Sequence, residues 1–295
     1  MKEVVCFGEV LWDLFPEGKK LGGAPLNVAL RMKSWGINSQ IISGIGNDSL
    51  GTEILSHIEK KGLKTQYIQI HESFETGIVT VTLDKKGAAS YEINYPVSWD
   101  KIQLNSTITK LVSNSDAFVF GSLVARDSVS KKSLLSLLEL APYPVFDVNL
   151  RPPHYSIEDL KVFMNYAKVI KFNDEEIQEI SFALGFKKDN LEKQIQFISK
   201  ETNTETICVT LGKEGAILLH KGTLYKQNGY PAQVADTVGA GDSFLGTFIS
   251  ILLEKNNPLE ALDKACAMGA MVAQSKGANP IITETELLKF MKDSD

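Results

Sequence analysis

The sequence predicts an α/β protein: a mostly parallel central sheet with helices on both faces, and a small β lid. Two observations predict it. Short apolar runs of strand length alternate with helix-length amphipathic segments along most of the chain, which is how a parallel sheet covered by helices reads. One stretch breaks that rhythm with consecutive β-rich segments, as an inserted lid would. With 295 residues, 43% apolar and 23% charged, the chain can bury a sizeable core in one large domain. The domain is taken as 1–295, with the lid drawn from about 11–25 and 66–97.

The elements follow in order. Residues 4–7, Val-Val-Cys-Phe closed by Gly8, read as a buried strand. Residues 25–35 read as a helix, with Pro25 in the first turn, Leu26, Ala29, Leu30 and Met32 on the apolar face and Gly36 beyond the end. A strand at 40–43 and a helix at 49–61 continue the alternation. Residues 67–70, 77–83 and 89–95 are β-rich, and Asp84-Lys85-Lys86-Gly87 supplies a turn between the last two. Strands at 117–120 and 144–148 flank a helix at 128–140. A strand at 169–172 precedes a helix at 173–183, opened by Asn173-Asp174-Glu175-Glu176, a capping residue followed by acids. A helix at 191–200, strands at 206–211 and 216–219, and helices at 241–253 and 259–275 complete the pattern.

Charge and motif content exclude several functions. With 31 basic against 36 acidic residues the net charge is −5, which argues against a nucleic-acid partner. Cys6, Cys208 and Cys266 are scattered, without zinc or disulfide spacing, and read as buried thiols. The N-terminus makes a poor signal peptide and no apolar run reaches membrane-span length, so a cytoplasmic protein without a membrane partner is expected. No P-loop, complete Gly-x-Gly-x-x-Gly or Gly-x-Ser-x-Gly occurs. The four histidines have no metal or triad spacing.

Two segments carry chemistry. In Asp236-Thr237-Val238-Gly239-Ala240-Gly241-Asp242-Ser243-Phe244, a small-residue turn runs into a long helix, where backbone N–H groups and the helix dipole form an anion hole suited to phosphate. Asp242 at its mouth is placed to take a proton from a hydroxyl attacking phosphorus. By composition alone, a glycine-rich helix start with a capping Asp reads equally well. In Leu21-Gly22-Gly23-Ala24-Pro25-Leu26-Asn27, glycines let a ligand approach the backbone, and Asn27 can donate and accept hydrogen bonds. Asp13 lies just past the first strand, where open α/β sheets bind ligands. A carboxylate and an amide together suit a polyol; the bland alternative is a tight turn with a solvated Asp13.

Taken together, these two segments resemble the paired signatures of the ribokinase/fructokinase (PfkB-type) carbohydrate kinases, with the fructokinases nearest. The resemblance implies a ribokinase-like fold, ATP and a small-molecule sugar as substrates, and Mg²⁺. It implies Asp242 as catalytic base, Gly239, Ala240 and Gly241 as anion hole, and Asp13, Gly23 and Asn27 as sugar contacts. Asn173 and Glu176 resemble the Asn-x-x-Glu element, with Asn173 near the phosphates and Glu176 organising Mg²⁺ through water. Thr210, Gly212 and Gly215 resemble the Thr-x-Gly-x-x-Gly border of the nucleotide. Arg151, in Asp147-Val148-Asn149-Leu150-Arg151, resembles the Asp-x-Asn-x-Arg of fructokinases and ketodeoxygluconate kinases and is placed on the phosphate. Asp236 with residues 275–278 resembles the K⁺ site of some members. Val238, Ser243 and Cys266 depart from the usual Thr, Ala and Asn, the last beside the adenine.

The expected reaction is phosphorylation of D-fructose to fructose 6-phosphate by ATP. Ketodeoxygluconate, ribose and nucleosides are alternative acceptors, and a non-catalytic sugar- or nucleotide-binding relative is the rival class. The alternation through residues 78–83 gives the lid two apolar or β-branched faces, and a homodimer through the lid is expected.

Overall fold

In the computed structural model, which describes residues 1–15, 18–83 and 89–294, the chain begins with strands β1 (Glu3–Phe7), β2 (Leu11–Phe15) and β3 (Gly18–Gly22). Helix α1 (Ala24–Ser34), β4 (Asn38–Gly46), α2 (Ser49–Lys60) and β5 (Ile68–His71) follow, then β6 (Gly77–Leu83) and β7 (Ala89–Ile93). Alternation resumes with α3 (Ser106–Ser113), β8 (Ala117–Gly121), α4 (Ser128–Leu138), β9 (Pro144–Asp147), α5 (Ile157–Tyr166), β10 (Val169–Asn173) and α6 (Asp174–Ala183). The chain continues through α7 (Leu191–Thr202), β11 (Thr206–Thr210), β12 (Ala216–His220), β13 (Thr223–Gln227), α8 (Ala240–Lys255), α9 (Pro258–Ala273) and α10 (Glu284–Ser294).

Strand β1 shows why helices cover both faces of the sheet. Val4 and Cys6 join one apolar cluster and Val5 and Phe7 another, all fully buried, because successive strand residues face opposite sides. β8 repeats this, with Ala117 and Val119 on one side and Phe118 and Phe120 on the other. The first cluster is closed by α1, α2, α8 and α9 through residues such as Leu26, Ile54, Phe248 and Ala265. The second is closed by α3 to α7, for example Val112, Leu134, Phe163, Ile177 and Ile198. Strands buried on both faces read as continuous apolar runs, which is why these were legible.

The nine-stranded sheet has the order β13-β12-β11-β10-β9-β8-β1-β4-β5. It is parallel from β5 to β11 and antiparallel at β12 and β13. A second sheet, β3-β2-β6-β7, projects from it over a small core of Leu11, Val79 and Val81. Two corrections concern this region. Residues 67–70, read as the first lid strand, correspond to β5, which pairs in parallel with β4 as Ser43↔Ile68 at the edge of the central sheet. Its alternation, Ile68 at 8% exposure and Ile70 at 57%, identifies a half-exposed strand but not the sheet it joins. Residues 11–22, to which the sequence reading assigns no strand, form two of the second sheet's four strands; their exposed Lys19 and Lys20 disguise the pattern. The Asp84-Lys85-Lys86-Gly87 turn lies outside the described residues. Arg126, past β8, fastens the segment that follows β7: it bonds Asp100 at 2.8 and 2.9 Å and lies over the Trp99 ring at 4.0 Å.

Candidate active site

The carboxyl ends of the parallel strands, the start of α8 and the second sheet converge on one region. Gly239 opens α8 with φ 78°, a left-handed conformation, and a Cβ there would come within 2.5 Å of Ala278. Only glycine fits both demands. The Ala240 N–H bonds Thr237 O at 3.2 Å. The Gly241 and Asp242 N–H groups then open the helix with no carbonyl of its own to bond.

Asp242, in that first turn, is half-buried. Its Oδ2 accepts a hydrogen bond from Asn27 Nδ2 at 2.8 Å. Burial, then repulsion from Asp147, pushes its carboxyl up to about 6, against the Asn27 bond and the charges of Lys171 and Arg151. It is therefore ionised near neutrality yet more basic than an ordinary carboxylate. Asn27 is 4% exposed and its Oδ1 accepts from Asn279 Nδ2 at 2.6 Å. Its amide thus bonds the Asp242 carboxylate directly. Arg31, donating to Ser243 Oγ at 3.3 Å and Pro280 O at 3.1 Å, holds α1 to the same region.

Gly23, the residue before α1, has φ 114°, and a Cβ there would overlap the Glu9 carbonyl oxygen. Asp13 on β2 is half-buried. Burial raises it to about 6, opposed by the charges of Arg151 and Lys20. Arg151 is exposed, donates to Leu150 O at 2.9 Å, and its charge is felt at Glu9, Asp13 and Asp242. Asp236 Oδ1 accepts from Val238 N at 3.0 Å, and its Oδ2 from Gly277 N at 3.2 Å and Lys20 Nζ at 3.4 Å. Burial acts to raise Asp236, but these partners hold it below its ordinary value.

Asn173 caps α6. Its side chain accepts from Glu176 N at 2.7 Å while Glu176 Oε2 accepts from Asn173 N at 2.8 Å, a reciprocal capping box. Glu176 Oε1 accepts from Leu150 N at 3.0 Å. Thr210, Gly212 and Gly215 line a cavity of about 670 Å³ that extends to Ala240, Gly241, Phe244 and Cys266. Cys266 is 7% exposed, and burial pushes its thiol up to about 12. All three cysteines are buried and unpaired by disulfide.

Three charged residues escaped the sequence reading. Lys171, 6% exposed, pairs with Asp147 at 3.0 Å and lies over Gly241, 3.3 Å from where a Cβ would be. Burial works against its charge, but Asp147, Glu176 and Asp242 outweigh it and hold the ammonium well above its ordinary value. A lysine inside the apolar run Val-Ile-Lys-Phe was the signal. Asp147 was quoted only as part of a motif. Glu9 is 4% exposed and follows the first strand directly.

The chemistry of these donors suits Mg²⁺. Asp147 Oδ2 is buried with no partner among the described residues, while both Glu176 oxygens take backbone N–H groups. No group of three or more potential metal-ligating side chains occurs among the described residues. No described helix is long and apolar enough to cross a membrane.

The sequence profile described as pfkB family carbohydrate kinase matches residues 1–285. A probable fructokinase-5 from Arabidopsis thaliana is 28% identical, covering 98% of this chain and 97% of that protein. Among solved structures, a fructokinase with bound ATP from Xylella fastidiosa superposes with a TM-score of 0.87 at 21% identity, covering 99% of this chain and 98% of that one. A double-mutant fructokinase from Vibrio cholerae O395, with fructose, ADP and a potassium ion bound, gives 0.85 at 23% identity, covering 99% and 98%.

Proposed function

The chain belongs to the pfkB family of carbohydrate kinases, and on that premise we propose that it transfers the γ-phosphoryl group of ATP to the 6-hydroxyl of D-fructose, giving fructose 6-phosphate and ADP. The observation that carries this reading is Asp242, raised to about 6 and held by Asn27 at the N-terminus of α8, at the edge of a cavity large enough for a nucleotide. Asp242 accepts the hydroxyl proton as the sugar oxygen forms its bond to phosphorus and the bond to the ADP oxygen breaks. The Gly241 and Asp242 N–H groups and the Lys171 ammonium face the charge that develops.

Around that step, Gly239 and Ala240 shape the anion hole, and Thr210, Gly212 and Gly215 border the nucleotide. Asn173 and Arg151 lie toward its phosphates. Asp13, Gly23 and Asn27 receive the sugar, and the ionised Asp13 selects hydroxyl donors. Asp147, and Glu176 through water, would hold Mg²⁺, which neutralises phosphate charge when bound. Potassium is proposed beside Asp236, where the Lys20 ammonium at 3.4 Å is its competitor. The second sheet acts as a lid and as the contact of a homodimer, in a cytoplasmic enzyme; sedimentation showing only monomer at micromolar concentration contradicts the dimer.

A second reading rests on one observation. The Arg151 charge acts on Glu9 and Asp13 as well as on Asp242, so it is also available to an acidic sugar such as ketodeoxygluconate. A panel of fructose, ketodeoxygluconate, ribose, tagatose and adenosine, assayed for ADP release with ATP, decides between them. Fructose is expected to give the highest kcat/KM, and a higher value for any other acceptor overturns the choice.

A further inference from the structure

Glu9 belongs to neither half of the site described so far, yet it is 4% exposed between β1 and β2. Its Oε1 accepts from the Ala24 N–H at 3.2 Å, the first N–H of α1, which the helix itself cannot satisfy. Its Oε2 is buried with no partner among the described residues. Its main-chain oxygen lies where a Gly23 side chain would have to go, so the Glu9 backbone and the turn opening α1 are in direct contact. A buried carboxyl with one oxygen unpaired is costly, and an Ala or Leu here would remove the cost. We propose that Glu9 is a positioning residue for phosphoryl transfer: through the Ala24 N–H it fixes the first turn of α1 and so sets the Asn27 amide against Asp242.

The chain of contacts is short. Glu9 holds Ala24; the Gly23 carbonyl accepts from Asn27 N at 2.9 Å; Asn27 Nδ2 donates to Asp242 Oδ2 at 2.8 Å. Burial pushes the Glu9 carboxyl up to about 7, with Asp242 adding to the rise and the Ala24 bond and Arg151 opposing it. A displacement of Asn27 by a fraction of an ångström tilts the Asp242 carboxylate, and misplacement on the order of 1 Å costs up to ~10²-fold in rate.

This inference rests on the proposed kinase reading, and the test separates the two. Steady-state kinetics are compared for wild type, Glu9→Ala, Glu9→Gln, Ala24→Pro and Asp242→Asn. Ala24→Pro deletes the N–H at a helix position where proline is favoured, and its Cδ takes the place of the hydrogen that Glu9 Oε1 accepts. Glu9→Ala and Ala24→Pro are expected to lose roughly 10-fold or more in kcat with the KM for ATP within about twofold of wild type. Glu9→Gln keeps an oxygen for Ala24 and is expected to recover most of the loss. If Glu9→Ala does not fold, Ala24→Pro and Glu9→Gln still carry the comparison. Wild-type kcat in Ala24→Pro, or a Glu9→Gln as impaired as Ala24→Pro, overturns the role of Glu9. Turnover retained in Asp242→Asn overturns its role as base, and a wild type that phosphorylates no sugar overturns the kinase reading instead.

Discussion

Replacing Asp242 with Asn measures what this carboxylate costs the fold. Its carboxyl rises from 3.8 to about 6, first through burial and then through Asp147. That difference of about 2 units, at about 1.36 kcal/mol each, is about 3 kcal/mol. Partial solvent access trims this to about 1–3 kcal/mol. The sign follows from linkage: the folded pKa lies above the unfolded one, so the native state holds the proton more tightly. Wild type carries the full penalty above about pH 6 and loses it as pH falls toward 3.8. Asn retains an oxygen for the Asn27 amide, so the bond between them survives. Scanning calorimetry is expected to show Asp242→Asn melting about 2–6 °C above wild type at pH 7.5, with most of the gain gone at pH 4.5. A variant that melts lower at pH 7.5, or gains equally at both pH values, refutes the electrostatic argument.

Three further outcomes are expected. Gly23→Ala combines a strained φ of 114° with overlap of the Glu9 carbonyl and is expected to lose about 2–5 kcal/mol in chemical denaturation; a loss under about 0.5 kcal/mol contradicts the geometry. Lys171→Met strands Asp147 and Glu176 without their buried cation and is expected to lose about 3–5 kcal/mol. Adding Asp147→Asn is expected to restore part of that loss, and strict additivity argues against the pairing. Asp13→Ala is expected to raise the KM for the sugar while the KM for ATP stays within about twofold, and equal changes in both remove Asp13 from the acceptor site.

Much of the architecture is legible because it is local. Val4–Phe7, the Phe118 and Phe120 strand and the Asn173 cap announce themselves within a few residues. The paired glycine segments announce the family in the same way. What the sequence conceals is pairing at long range. β5 alternates as an edge strand in either sheet does, and only its register with β4 places it. The Asn27 bond to Asp242 is concealed because an amide in a glycine-rich turn is equally suited to a sugar and to a carboxylate 215 residues away. Lys171 hides in an apolar strand because its partner Asp147 lies on the neighbouring strand, 24 residues earlier.

The central claim is that Asp242 serves as the base for phosphoryl transfer to a sugar hydroxyl, and product analysis tests it most directly. Wild type and Asp242→Asn are incubated with ATP, Mg²⁺ and fructose, and the sugar phosphate formed is identified by phosphorus NMR and timed. Wild type is predicted to form fructose 6-phosphate. The folded variant is predicted to be slower by about 10²–10⁴-fold. An Asp242→Asn variant keeping more than half of the wild-type rate contradicts the account.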